Sequence, residues 1–531
     1  MQLKLPVDQG PEVFLQAYTE SVRPLRVEHA RCYWSFATKA DNLAYDRLEA
    51  IETQLAALHS DPRVFGAIES WRTTDHQDPL ISRQLALLYP EYRQGQASPE
   101  LRARIISSSL SIERTCSQFR ARQGQERLDS NELDRRLAHE TNDGRRRAAW
   151  EATRQIGQKT AAKLLELVEL RNQLARELGF SNYYELALDE EEMNVPELFD
   201  LLSSIKEATD PIWKQLKLRL DLEFSKLRGK DPQELMPWDY PERFLQSIPR
   251  SAQEGSTDRW FPIRAIQKYA KSYYRSIGLP IDRIWTQSDM LPRDGKHPHA
   301  FCIGIDNPSE VRVLCNLDST KRWMETTLHE FGHALYDSGV SNQLPWLLRG
   351  PAHTFITEAV AMFFGRLAAQ ADWLQEVAGV PEELALNCSA RLQESQLVFL
   401  RWALVVSFFE RQLYEQPHSD QDQQWWQLVN EIQGLRRPDN WAGGDWASKV
   451  HIACYPAYYQ NYILGELLAS QFDACIGTAS ASPASAGQQP GSFFQQLFAA
   501  GRRQGWAETV RSYCGEELSP RHWLAQFGQL R

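Results

Sequence analysis

Apolar residues recur at three- and four-residue spacing through most of this chain. The runs RLEAIETQLAALHS, TAAKLLELVELRNQLARELG and PELFDLLSSIKEATDPIWKQLKLRL carry a helical period, and short breaks separate such runs. Two short β-prone stretches, HAFCIGI and VRVLCNL, flank the turn residues DNPSE and predict a small β-hairpin or sheet. Just after it, STKRWMETTLHEFGHALYDSG reads as a helix. Met324, Leu328, Phe331 and Leu335 step by four, three and four along it. Asp318 or Ser319 would cap its start, and Gly339 would close it. The pattern predicts a mostly α fold with very few strands.

The string HEFGH, His329 to His333, brings chemistry into that helix. Residues four apart lie above one another on one face. Two imidazoles there can hold one zinc ion, and Glu330 beside the first is placed to act as a general base. By average residue usage this pattern arises by chance in roughly one or two per cent of chains this long, so its surroundings must decide. Catalytic zinc usually keeps three protein ligands. Glu358 lies 25 residues after His333, in HTFITEAVAMFFGRLAAQ, a second helical run starting near Pro351 or Thr354. A glutamate among Ile356, Ala359, Val360 and Met362 needs a partner, because burying its charge alone is costly. The intervening glycines and prolines let the chain turn back. One Zn2+ on His329, His333 and Glu358 is the expected centre. The strand containing Ala300 would lie beside it, either as a purely structural hairpin or as an edge able to pair with an extended peptide, and the second reading makes Ala300 a substrate-binding candidate.

Composition narrows the class. The chain has 531 residues, 42% of them hydrophobic, enough for a sizeable core. A net charge of −10 argues against a nucleic-acid partner. The short basic run GRRRAAW and the acidic run DEEE read as solvated helix faces. Eight scattered cysteines form no CxxC pair and read as reduced thiols, with Cys302 and Cys315 on the two hairpin strands. His353 reads as structural rather than as a substrate contact. The run GTASASPASAGQQPGS, from Gly477 to Ser492, reads as a flexible surface loop. The N-terminus carries no basic start followed by an apolar run, and no stretch approaches the roughly 20 apolar residues of a membrane span. A cytoplasmic enzyme, away from membranes, is the expectation.

The block from His299 to Leu367 resembles the gluzincin oligopeptidases. HEFGHALY and the 25-residue gap are similar to the thimet oligopeptidase and oligoendopeptidase F group. FITEAVAMFFG resembles the peptidyl-dipeptidase A (angiotensin-converting enzyme) group. LRNQLARELGFSNYYELAL and DWASKVHIACYPAYYQNYILGELLASQF extend the likeness from about Leu170 to Phe472. The resemblance implies two helical lobes flanking a deep channel that admits short unfolded peptides. A division at 1–290 and 291–531 is expected, the second part carrying the zinc, within one intertwined peptidase domain. The resemblance also implies catalytic roles for His451, Tyr459 and Tyr462 at the oxyanion. Tyr458 is a further candidate, and the choice among the three tyrosines stays open. Lys449 matches a lysine that binds a substrate's C-terminal carboxylate. One position departs: an acid that orients a zinc histidine in the peptidyl-dipeptidase group is Met362 here. Internal cleavage of short oligopeptides is the first reading. Release of C-terminal dipeptides and catalytically silent peptide binding are the alternatives. Oligomeric state is not legible.

Overall fold

The computed structural model describes residues 5–74, 76, 78–128, 130–248, 256–441, 443–477 and 490–527. Most of the Gly477–Ser492 run falls at 478–489, outside the described residues. The described chain is mostly α-helical, as its periodicity predicts. It contains two small antiparallel sheets: β1 (Ala121–Gln123) with β2 (Glu126–Leu128), and β3 (Phe301–Asp306) with β4 (Glu310–Leu314). The three helical runs quoted above lie along helices Asn42–His59, Asp143–Glu177 and Val195–Arg228, the first two running one and two residues past the helix end.

The chain folds into two compact units, each drawn from three segments. The first comprises Met1–Ile106, Gln253–Ser389 and Leu464–His522; the second comprises Ser107–Ala252, Ala390–Ile463 and Trp523–Arg531. Within the first unit the helix Pro11–Lys39 is tied to the hairpin. Arg23 donates to both carboxylate oxygens of Asp306, at 3.0 and 2.6 Å, and Arg31 reaches Glu310 at 2.7 Å. Tyr33 and Trp34 pack edge-on against Phe301. These contacts join residues almost 300 positions apart, which local periodicity cannot reveal.

In the second unit the basic run GRRRAAW departs from its expected solvation. Arg146 is 1% exposed, donates to the Trp238 carbonyl at 2.9 Å and pairs with the buried Asp239 at 2.6 Å. A guanidinium can be buried when a carboxylate and carbonyls meet its fork. Arg145 and Arg147 beside it stay exposed. All eight cysteines are free thiols. No helix among the described residues is long and apolar enough to cross a membrane.

Candidate active site

The HEFGH helix spans Lys321–Gly339. Its cap is Thr320, whose hydroxyl accepts the Trp323 N–H at 3.3 Å, one residue beyond the expected Asp318 or Ser319. Gly339 is the last helical residue, and no left-handed cap follows it: Val340 is extended. Its lack of a side chain serves packing, since a Cβ there would come within 2.8 Å of Phe498. The predicted stripe of Met324, Leu328, Phe331 and Leu335 is buried. Phe331 stacks on Trp285, and the Tyr274 hydroxyl donates to the Leu328 carbonyl at 2.6 Å.

The second site helix, Thr354–Arg366, packs closely on the first. Gly332, inside HEFGH, permits the approach. A Cβ there would lie 2.8 Å from the Ala361 Cα and 3.3 Å from the Val360 carbonyl oxygen. The same economy holds on the helix's far side, where a Cβ on Gly465 would come within 3.0 Å of the Glu358 Cβ. His353 caps this helix, its Nδ1 accepting the Phe355 N–H at 3.1 Å.

This packing brings His329, His333 and Glu358 together. Their ligand atoms all lie within 4.8 Å of one another. Glu358 Oε2 is 3.6 Å from His329 Nε2 and 3.7 Å from His333 Nε2. Three donors about 2.1 Å from a tetrahedral ion would sit roughly 3.4 Å apart, so the donor set fits zinc in both chemistry and span. Among the described residues this is the one group of His, Cys, Asp or Glu able to hold an ion. Burial lowers the pKa of His329 to about 4 and holds that of His333 well below the ordinary value. Both rings are thus neutral at neutral pH, the form that ligates metal.

Glu330 is 8% exposed. Burial, then the Glu358 charge, pushes its carboxyl up to about 8, while the Cys302 backbone N–H donates to it. β3 therefore anchors the Glu330 carboxyl. Ala300 lies half-buried just before β3, which begins at Phe301.

Thr357 was missed by sequence reasoning. Its hydroxyl lies 2.7 Å from His333 Nδ1, the nitrogen facing away from Glu358. Ligating histidines commonly fix their tautomer through such a partner. It stands one residue before Glu358 in FITEAV rather than at the Met362 position, where neither residue type nor spacing marks it. We expect Thr357→Val to weaken zinc binding about 10- to 100-fold. Competition with a graded chelator measures this, and an unchanged affinity would remove Thr357 from the centre.

In the second unit the late segment forms a cluster of its own. The Tyr462 hydroxyl is 3.4 Å from His451 Nε2, and both side chains are partly exposed. Tyr458 is half-buried, its ring 5.4 Å from that of Tyr462. Tyr459 is 2% exposed, and its hydroxyl accepts the Trp402 Nε1–H at 2.6 Å. The fold thus takes Tyr459 into the core. Lys449 Nζ donates to Gln246 at 2.9 Å and lies over the Trp402 and Tyr459 rings; burial lowers its pKa to about 8.

Residues 136–529 match the family model described as Peptidase family M3. The chain belongs to peptidase family M3. It is accordingly a zinc metallopeptidase. Residues 7–224 also match the model described as Angiotensin-converting enzyme, a likeness confined to the N-terminal part. No curated protein sequence matches the chain.

Proposed function

We propose that this family M3 member hydrolyses internal bonds of short oligopeptides, using one zinc ion held by His329, His333 and Glu358. The observation that carries the reading is the three-ligand cluster with the buried Glu330 carboxylate beside it. Zinc bound there would supply Lewis acidity and bring the pKa of a coordinated water toward neutrality.

The protein's own groups do the rest. Glu330 takes a proton from the attacking water and later hands it to the leaving amine. Its raised pKa suits a proton carrier near neutral pH. Thr357 holds the His333 ring. An edge-paired peptide would lie along the segment beginning at Ala300. Tyr462 and His451 donate to the oxyanion as it forms. Two observations support Tyr462 over its neighbours: Tyr459 is committed to Trp402, and Tyr462 is beside His451. Tyr462→Phe should lower kcat about 100- to 1,000-fold with little change in KM. An equal loss through KM alone would assign Tyr462 to ground-state binding instead.

The deciding experiment maps cleavage products of a mixed peptide library by mass spectrometry, with and without chelator. Chelator-sensitive cuts at internal bonds support the proposal. Stepwise loss of C-terminal dipeptides would turn the reading to a dipeptidyl carboxypeptidase, with Lys449 as the carboxylate site. A zinc-loaded, folded protein that cuts nothing would leave only peptide binding.

A further inference from the structure

The turn between His451 and Tyr462 is held from behind by a buried acid. Ala457 sits in that turn with φ of +53°, a left-handed conformation that alanine rarely adopts. Both of its backbone polar groups are gripped by buried side chains. Its N–H donates to Glu410 at 2.8 Å, and its carbonyl accepts from the Gln460 amide. Glu410 is 1% exposed and Gln460 is 0% exposed. Gln460 in turn accepts from the Tyr184 hydroxyl at 3.5 Å. Behind Glu410, Arg171 donates to Tyr414, and Asn172 donates to the Tyr414 carbonyl at 2.8 Å. On either side of Ala457 the backbone closes into turns. Tyr455 N–H reaches the His451 carbonyl at 2.8 Å, and Tyr462 N–H reaches the Tyr459 carbonyl at 3.2 Å.

A strained residue persists only where its surroundings over-determine it, and such residues collect at working sites. Burial pushes the Glu410 carboxyl up to about 8, and a fully buried acid is an expensive way to satisfy one N–H in an ordinary loop. Its position decides what it is for. Releasing Ala457 would let the turn relax, and the two side chains flanking it, His451 and Tyr462, would lose their mutual register of 3.4 Å.

We infer that Glu410 is a positioning residue for hydrolysis, fixing the left-handed turn at Ala457 and through it the placement of Tyr462 against His451. The inference rests on the catalytic reading of Tyr462 given above. It predicts a kinetic signature that general destabilisation would not give. Glu410→Leu removes the acceptor at similar volume and should lower kcat per bound zinc about 30- to 100-fold, with KM within about threefold, as expected for small misplacement of a reacting group. Glu410→Gln retains a carbonyl acceptor and should recover most of that loss. Because Glu410 acts through Tyr462, the Glu410→Leu/Tyr462→Phe double variant should be no slower than Tyr462→Phe alone. Adding Ala457→Gly to Glu410→Leu should restore part of kcat, since glycine takes a positive φ without strain.

The measurements are kcat and KM of these variants on one internally cleaved peptide, with zinc content and thermal melting alongside. If Glu410→Leu does not fold, Gln460→Leu frees the other end of the same residue and enters the same cycle. Losses that multiply in the double variant overturn the inference. So does a Glu410→Leu protein that melts lower but works at full kcat per zinc. A Tyr462→Phe enzyme with unchanged kcat overturns the role of Tyr462 first, and the inference with it. A slow Tyr462→Phe enzyme beside a fast Glu410→Leu enzyme overturns the inference alone.

Discussion

Glu330→Gln is expected to lower kcat by roughly 1,000- to 10,000-fold while zinc stays bound, the upper range for loss of a positioned acid–base group. The substitution is nearly isosteric. Its carbonyl can still accept the Cys302 N–H that anchors Glu330. None of His329, His333 and Glu358 is touched. What disappears is the capacity to take and return a proton. Glu330 is suited to that task because burial, then the neighbouring Glu358 charge, raises its carboxyl to about 8. The same shift costs stability in the metal-free protein. A carboxyl at about 8 when folded and near 4.5 when unfolded binds more protons in the native state between those values. That contribution is therefore full below 4.5 and is lost as pH rises through 8. Metal-free Glu330→Gln should consequently melt above the metal-free parent at pH 8 and alike near pH 4. Zinc analysis, single-turnover rates and melting curves check all three statements. A zinc-replete Glu330→Gln enzyme retaining more than a few per cent of kcat would remove Glu330 as the base.

The candidate site was legible where the chemistry is local or strongly constrained. HEFGH announces itself by spacing. Glu358 announces itself by standing among apolar neighbours, where a carboxylate needs a partner, and the structure sets it within 3.7 Å of both histidines. The hairpin, too, was legible from two β-prone runs and a turn. Other features depend on contacts that sequence distance hides. The ends of the HEFGH helix depart from expectation because Thr320, not Asp318 or Ser319, meets the free N–H, and because Gly339 answers to Phe498 rather than to a left-handed cap. Arg146 reads as one of three surface arginines until Asp239, 93 residues later, closes on it. The unit boundaries follow pairs such as Arg23 and Asp306, 283 positions apart. Thr357 and Glu410 belong to the same kind: neither residue type nor spacing marks them, and only the partner each one meets gives it meaning.

The metal centre should also fail without any change to a ligand. Gly332→Val leaves His329, His333, Glu330 and Glu358 intact, yet it should cost zinc affinity about 100-fold or more. Two effects oppose each other. Valine is a better helix former than glycine by a few tenths of a kcal/mol. Against this, its Cβ would meet the Ala361 Cα at 2.8 Å and the Val360 carbonyl oxygen at 3.3 Å, before its two methyl groups are counted. These are backbone atoms, which cannot rotate away as a side chain could. The helices Lys321–Gly339 and Thr354–Arg366 must separate, and overpacking of this kind typically costs about 1–3 kcal/mol. Packing therefore outweighs propensity. The separation acts directly on the metal, because the two histidines ride on one helix and Glu358 on the other, and metal sites tolerate only about 0.2 Å in ligand distance. Gly66 provides the control. It lies inside helix Pro62–Arg72, where an added Cβ would meet nothing within 4 Å, so Gly66→Ala should stabilise by up to about 1 kcal/mol through propensity alone. Zinc retention against a graded chelator, read beside thermal melting, separates the outcomes. Loss of zinc in Gly332→Val with a gain in melting temperature for Gly66→Ala would tie the centre to the helix contact. Normal zinc retention and normal turnover in Gly332→Val would show that the two helices can shift without moving Glu358, and that the glycine inside HEFGH does not set the ligand distances.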